Sequence, residues 1–182
     1  CGWFGVDLFF VLSGFLVSGL LFKEYRQTGG VRPFRFLARR AFKIYPNFYV
    51  MFALAFIFFP EITLEKPPVL KRTIQEALFV QNYFPGFFNQ TWSLAVEEHF
   101  YMLVALTVFL SVKYSCTDRP FSSYPRLTFL VLITCLAGRV SRLALAPEPN
   151  WYLVYFKTNF RIDALSFGVL IAYYWHFYYE KF

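Results

Sequence analysis

The fold class that this sequence predicts is all-α: a polytopic transmembrane helix bundle of about five spans. Three observations predict it. Of the 182 residues, 58% are hydrophobic and 24% aromatic, while only 16% are charged, against roughly 25% charged in soluble domains. Apolar stretches of about 20 residues, the length a spanning helix needs, recur along the chain. The basic residues concentrate in alternate loops, as the positive-inside rule requires. A soluble domain of this size would be left with large exposed apolar patches, and a disordered chain needs low hydrophobicity.

The first span is Gly2 to Phe22, followed by the polar stretch KEYRQTGGVRP. The second is roughly Phe42 to Phe59, entered through RFLARRAFKIYP and closed by Pro60. The third runs from about Thr91 to Val112, the fourth from Leu127 to Ala146 between Pro125 and Pro147, and the fifth from Ile162 to Tyr179. Leu70 to Tyr83 is weakly amphipathic and reads as a short interfacial helix. Gly29-Gly30, Pro67-Pro68 and Pro85-Gly86 mark turns. With no repeat or low-complexity linker, residues 1–182 read as one transmembrane domain.

The net charge of +7 suits nucleic acid in a soluble protein, but here it is a topology signal and no nucleic-acid partner is expected. Lys23, Arg26, Arg32, Arg35, Arg39, Arg40, Lys43, Lys113, Arg119, Arg126 and Lys181 fall on one side, against Lys66, Lys71, Arg72 and Lys157 on the other. The N-terminus is therefore expected outside and the C-terminus in the cytoplasm. Cys1, Cys116 and Cys135 are odd in number and lack CxxC spacing, so neither a metal site nor a disulfide framework is expected. The chain opens at Cys1 with an apolar run and no basic segment before it, the pattern of a piece cut from a longer protein rather than of a signal peptide.

Ionisable residues within spans are costly and mark functional sites by default. Asp7 shares a stripe of the first helix with Val11, Gly14 and Ser18, while Phe9, Leu12, Leu16 and Leu20 lie opposite. The small, acidic face is expected to point into the bundle, although Asp7 also fits a helix cap. In TWSLAVEEHFY, Ser93, Glu97 and Tyr101 share a face at four-residue spacing. Either Glu97 or Glu98 reaches the Tyr101 hydroxyl, and His99 points away. An outer helix cap is the ordinary alternative, but no acid stands three residues after Ser93. Arg142 is placed to snorkel. Arg139 needs an acidic partner, and Arg161 and Asp163 must pair with other helices, since two residues apart they face different ways. All these charges are expected in the outer half of the membrane, as a polar chamber or as ion pairs between helices. Arg35, Arg39 and Lys43, with Arg40 on the flank, form a separate basic ridge at the cytoplasmic side. It suits phosphate or, as a topology signal, lipid headgroups. GxSxG, HExxH and Walker motifs are absent. The triplet Asn89-Gln90-Thr91 fits glycosylation, but against the membrane edge it reads as chance.

Four stretches together, GWFGVDLFFVLSGFLVSGLL, RRAFKIYP, TWSLAVEEHFY and RIDALSFGVLIA, resemble the acyltransferase-3 family of integral membrane enzymes. The resemblance covers nearly the whole chain. It implies transfer of an acyl group, commonly acetyl, from acyl-CoA to a hydroxyl of a carbohydrate or lipid-linked acceptor at the cell surface. It places Arg39, Arg40 and Lys43 near the donor phosphates, and Glu97, Asp7, Asp163 and Tyr101 at the reacting centre. It also implies a catalytic histidine in a helix preceding the Gly5-Val6-Asp7 segment, and further helices after the last motif. Two positions depart from the family pattern. Arg40-Ala-Phe-Lys43 stands where Arg-x-x-Arg is usual, and His99 where Gln is usual. A transporter or flippase lining its path with the same charges, and a non-catalytic membrane scaffold, are the alternative readings.

Overall fold

The computed structural model describes residues 2–61, 69–84, 86–115, 120–145 and 155–178. Cys1, Lys66, Pro67-Pro68, Pro85, Cys116, Arg119, Pro147, Pro149 and Lys181 lie outside them. Six helices follow in order: α1 Gly2–Thr28, α2 Pro33–Phe58, α3 Val69–Ala77, α4 Trp92–Tyr114, α5 Tyr124–Leu145 and α6 Thr158–Phe177. A 3-10 turn, Asn89–Thr91, leads into α4. No strand occurs among the described residues.

Four helices, α1, α2, α4 with its leading turn, and α5, are long and apolar enough to cross a membrane. The expected fifth span is a helix, α6, of 20 residues and so about 30 Å long. It packs against both α1 and α5 and buries Thr158, Arg161 and Ser166 on those surfaces.

Helix boundaries differ from the sequence reading in two instructive places. α1 continues beyond Phe22 through the polar KEYRQT to Thr28. The stop signal is Gly29, whose φ of 68° lies in the left-handed region that glycine enters freely, and whose N–H donates to the Tyr25 carbonyl at 2.8 Å. α2 starts at Pro33, a residue suited to the first helical turn because its missing N–H is not needed there. The basic segment before Phe42 is therefore helix and not loop.

Neighbouring contacts give the helix directions. Phe10 packs on Trp92 and Ser13 bonds Tyr101, so α1 and α4 run parallel. Arg161 meets Asp7, and His176 meets Phe22, so α6 runs parallel to both. α2 runs opposite to α4, with Arg40 beside Tyr101 and Tyr45 beside Glu98. α5 runs opposite to α6, joining Tyr124 to Phe22 at one end and Arg139 to Asp163 towards the other. The five helices thus alternate in direction along the chain.

α1 and α6 approach so closely that glycines meet backbone. A Cβ on Gly14 would collide with the Leu165 carbonyl, and one on Gly168 with the Val11 carbonyl and the Phe15 amide. Small residues let helices come together where lipid provides no hydrophobic drive. As the α1 stripe predicts, Gly14 and Ser18 are buried and Asp7 and Val11 partly so, while Phe9, Leu12, Leu16 and Leu20 remain exposed.

Candidate active site

α4 enters the bundle from Trp92, and five residues later places Glu97 and Glu98 in the interior, both buried. Neither caps the helix. Thr91 is the N-cap residue and makes no side-chain cap bond. Tyr101, one turn beyond Glu97, donates its hydroxyl to Glu97 Oε2 at 2.7 Å. Ser13 of α1 lies 2.9 Å from the same hydroxyl oxygen. A phenol has one proton, so with Tyr101 donating to Glu97 the serine must donate to Tyr101. The result is a directed chain, Ser13 to Tyr101 to Glu97, crossing from α1 to α4. Glu98 takes the hydroxyl of Tyr45 from α2 at 3.0 Å. The second oxygen of each carboxylate, Oε1, is buried and has no hydrogen-bond partner among the described residues.

The cation facing this pair is Arg40. Its guanidinium carbon lies 5.3 Å from the Tyr101 ring centroid and 5.9 Å from that of Phe36, within cation–π range. It also acts electrostatically on both Glu97 and Glu98. The sequence reading grouped Arg40 with Arg39 and Lys43 on a basic ridge remote from the acids, and the structure separates them. Arg39 and Lys43 are exposed and Arg40 is half-buried. The physical reason is the 100° step of the helix. Phe36, Arg40, Ile44, Phe48 and Phe52 fall on one stripe, and its phenylalanines are buried. Arg40 is therefore on the packing face, and Arg35, Arg39 and Lys43 run down the adjacent one.

Behind Arg40 opens a cavity of about 720 Å³ between the end of α1 and the start of α2. Arg35, Arg39, Arg40 and Lys43 line it from α2, and Lys23 and Glu24 from α1. Arg40 is thus both a wall of the basic cavity and a neighbour of the buried acids. The two charge clusters expected in opposite halves of the membrane meet at this side chain.

Four of the remaining charges form two ion pairs between helices. Asp7 pairs with Arg161, which is enclosed by aromatic rings, that of Tyr155 lying 4.4 Å from its guanidinium carbon. Asp163 pairs with Arg139. Arg161 and Asp163 thus find partners on α1 and α5, as their spacing requires. Arg142 is exposed. The structure brings Glu97 and Tyr101 together and leaves Asp7 and Asp163 with arginines of their own. His99 points away from Tyr101, with Nδ1 2.8 Å from the Thr158 hydroxyl at the start of α6. Asn82 donates to the same hydroxyl at 2.6 Å.

Sequence reasoning missed Ser13, Tyr45 and Glu76. Ser13 neighbours the small stripe of α1, a signal that could have found it. Tyr45 lies in the Ile-Tyr-Pro stretch without a local cue. Glu76 of α3 is fully buried beneath the turn that enters α4. Its Oε1 accepts the Phe87 and Phe88 amides at 2.9 and 3.1 Å. A side chain on Gly86 would strike that carboxylate. Thr91 Oγ1 lies 3.0 Å from Oε2 and 2.8 Å from the Phe88 carbonyl. The Phe88 carbonyl also accepts the Thr91 amide at 3.4 Å, which leaves the Thr91 hydroxyl proton for Glu76. Burial pushes the Glu76 pKa up against the opposing effect of these donors. Among the described residues, no group of His, Cys, Asp and Glu is placed to hold a metal.

The family model described as "Acyltransferase domain" matches residues 1–182. The O-acetyltransferase OatA of Staphylococcus aureus (strain NCTC 8325) is 32% identical over 197 residues, which cover 96% of this chain and 30% of that protein. SACOL0978 of S. aureus (strain COL) is 31% identical over 196 residues with the same coverage. The chain thus spans about a third of the length of these curated relatives. No solved structure matches. The four membrane-crossing helices and the match along the entire chain agree: this protein belongs to the acyltransferase-3 family of membrane acyltransferases.

Proposed function

We propose that this transmembrane domain transfers an acyl group, acetyl in the simplest case, from acyl-CoA to a hydroxyl of a carbohydrate or lipid-linked acceptor. In that reaction the acceptor oxygen attacks the thioester carbonyl. The carbon–sulfur bond breaks, and the proton lost by the hydroxyl ends on the departing CoA thiol. Two needs follow: anchorage for the donor's phosphates and a group that handles the hydroxyl proton.

The observation that carries this reading is the position of Arg40. The basic cavity suits phosphate, for which Arg and Lys are the usual donors. Its inner wall stands against the Glu97–Tyr101–Ser13 chain. A donor gripped by Arg35, Arg39 and Lys43 would direct its thioester past Arg40 towards Glu97, which orients the base or the acceptor hydroxyl. Asp7 and Asp163 contribute by fixing α6 against α1 and α5. The α1–α2 loop is cytoplasmic in this reading, giving the cavity access to CoA, and lipids surround the exposed faces. The name O-acetyltransferase carried by OatA supports both reaction type and acyl group.

The test uses the full-length protein in proteoliposomes with acetyl-CoA labelled in the acetyl group and an oligosaccharide acceptor. Ester-linked label on the acceptor is the expected result. Movement of unmodified acceptor across the membrane without acylation would contradict it and favour a transporter.

A further inference from the structure

A second, smaller cavity of about 360 Å³ lies on the other side of the α1 end, lined by Lys23, Arg26, Gln27 and His176. Lys23 and Gln27 line both cavities, so the two adjoin across one helical turn of α1. The smaller one is basic, and no acidic side chain lines it. Its walls are held in place: Arg26 Nη1 donates to the His176 carbonyl at 3.1 Å, clasping the end of α6 to α1. Gly19 gives the imidazole room, since a Cβ there would come within 3.3 Å of Nε2. The Phe22 ring meets the imidazole edge-on.

We propose that this smaller cavity binds a phosphomonoester, the 3′-phosphate of the CoA donor, while the larger cavity takes the diphosphate. The inference rests on the acyl-CoA reading above and assigns the two phosphate groups within it. The pantetheine arm carrying the thioester leaves from the diphosphate. The diphosphate must therefore occupy the cavity that communicates with the reacting groups, which is the one walled by Arg40. The 3′-phosphate sits on the ribose, away from that arm, and needs a neighbouring site with no route to Glu97. The small cavity is adjacent through Lys23 and lacks Arg40. A phosphomonoester also carries more charge per phosphate than a diester, which suits the two cations Lys23 and Arg26 around a small volume. An anionic lipid headgroup offers the same phosphate chemistry, and the test separates the two sources.

The experiment compares acetyl-CoA with acetyl-3′-dephospho-CoA as donors for the full-length protein in nanodiscs of zwitterionic lipid, and again with anionic lipid. The wild type should prefer acetyl-CoA by about tenfold or more in kcat/KM, the effect of a charge-assisted contact. In Lys23→Gln and in Arg26→Gln the preference should collapse towards one. Arg26→Lys, which keeps the charge, should retain most of it. Using both glutamine variants guards against loss of the Arg26 clasp on α6. A wild type that turns over both donors equally would overturn this assignment and leave the acyltransferase reading intact. Variants that lower kcat/KM equally for both donors, or act only in anionic lipid, would overturn it in favour of general electrostatics or a lipid site. No acyl transfer from either donor would instead defeat the acyltransferase reading itself.

Discussion

At Arg40 one side chain joins a basic cavity to two buried carboxylates. Arg39, one residue earlier, faces only the cavity and solvent. The two should fail differently. Arg39→Ala should raise the KM for acyl-CoA by about tenfold, the value of one lost charge-assisted contact, with kcat nearly preserved. Arg40→Ala should lower kcat as well, and should reduce yield, because it leaves buried carboxylates without their cation. Steady-state kinetics with purified protein distinguish them, and identical defects would dissolve the distinction. The four-residue spacing of Arg35, Arg39 and Lys43 was legible in the sequence, and so was the Glu97–Tyr101 pair. The inward turn of Arg40 was not, because it read as the flank of a cytoplasmic ridge while the acids read as lying in the outer half of the membrane. Once α2 is known to start at Pro33, the stripe from Phe36 to Phe52 places Arg40 on the packing face by the helical step alone.

Among the elements, the α1–α6 contact and the turn entering α4 set the geometry of the site. Gly14 faces the Leu165 backbone, which cannot rotate aside as a side chain can. Gly14→Val should therefore force the helices apart, costing roughly 1–3 kcal/mol or more, and should reduce folded yield. Leu12→Val, on an exposed position, should leave yield unchanged. Size-exclusion profiles in detergent check the pair. Glu76 gives an element-scale pH dependence. Its folded pKa is raised above the ordinary 4.5 by burial, so the native state holds the proton more tightly than the unfolded chain. Its contribution is full below the ordinary value and falls as pH rises through the folded one. Gln keeps an oxygen to accept the two amides and cannot ionise. Glu76→Gln should thus be tolerated and should flatten the fall of thermal stability with rising pH above 4.5. Glu76→Ala should cost about 1–3 kcal/mol by orphaning the Phe87 and Phe88 amides. Unfolding scans across pH measure both. This buried acid was illegible in the sequence, where it sits in a weakly amphipathic stretch and its partners are backbone amides that carry no residue signature.

The molecule as a whole is a bundle whose crossings alternate in direction. The order of the spans was readable from apolar length and basic loops. α6 was found through its apolar run, although it also buries Thr158, Arg161 and Ser166. If the α1–α2 loop is cytoplasmic, a single cysteine at position 30 in a cysteine-free full-length background should resist an impermeant thiol reagent applied to intact cells. Labelling from outside would reverse the orientation and strand the basic cavity away from CoA. Glu97 is the buried acid that the cavity wall approaches. Glu97→Gln keeps shape and hydrogen-bonding reach at a position whose carboxylate holds Tyr101 and, through it, Ser13. The most direct measurement is acetyl transfer from labelled acetyl-CoA per folded molecule, in this variant and the wild type. A fall of about 100-fold or more, in the range of general-base contributions, with unchanged yield and melting temperature, is the predicted result. Near-normal transfer by folded Glu97→Gln would contradict it and reduce the Ser13–Tyr101–Glu97 chain to a strut between helices.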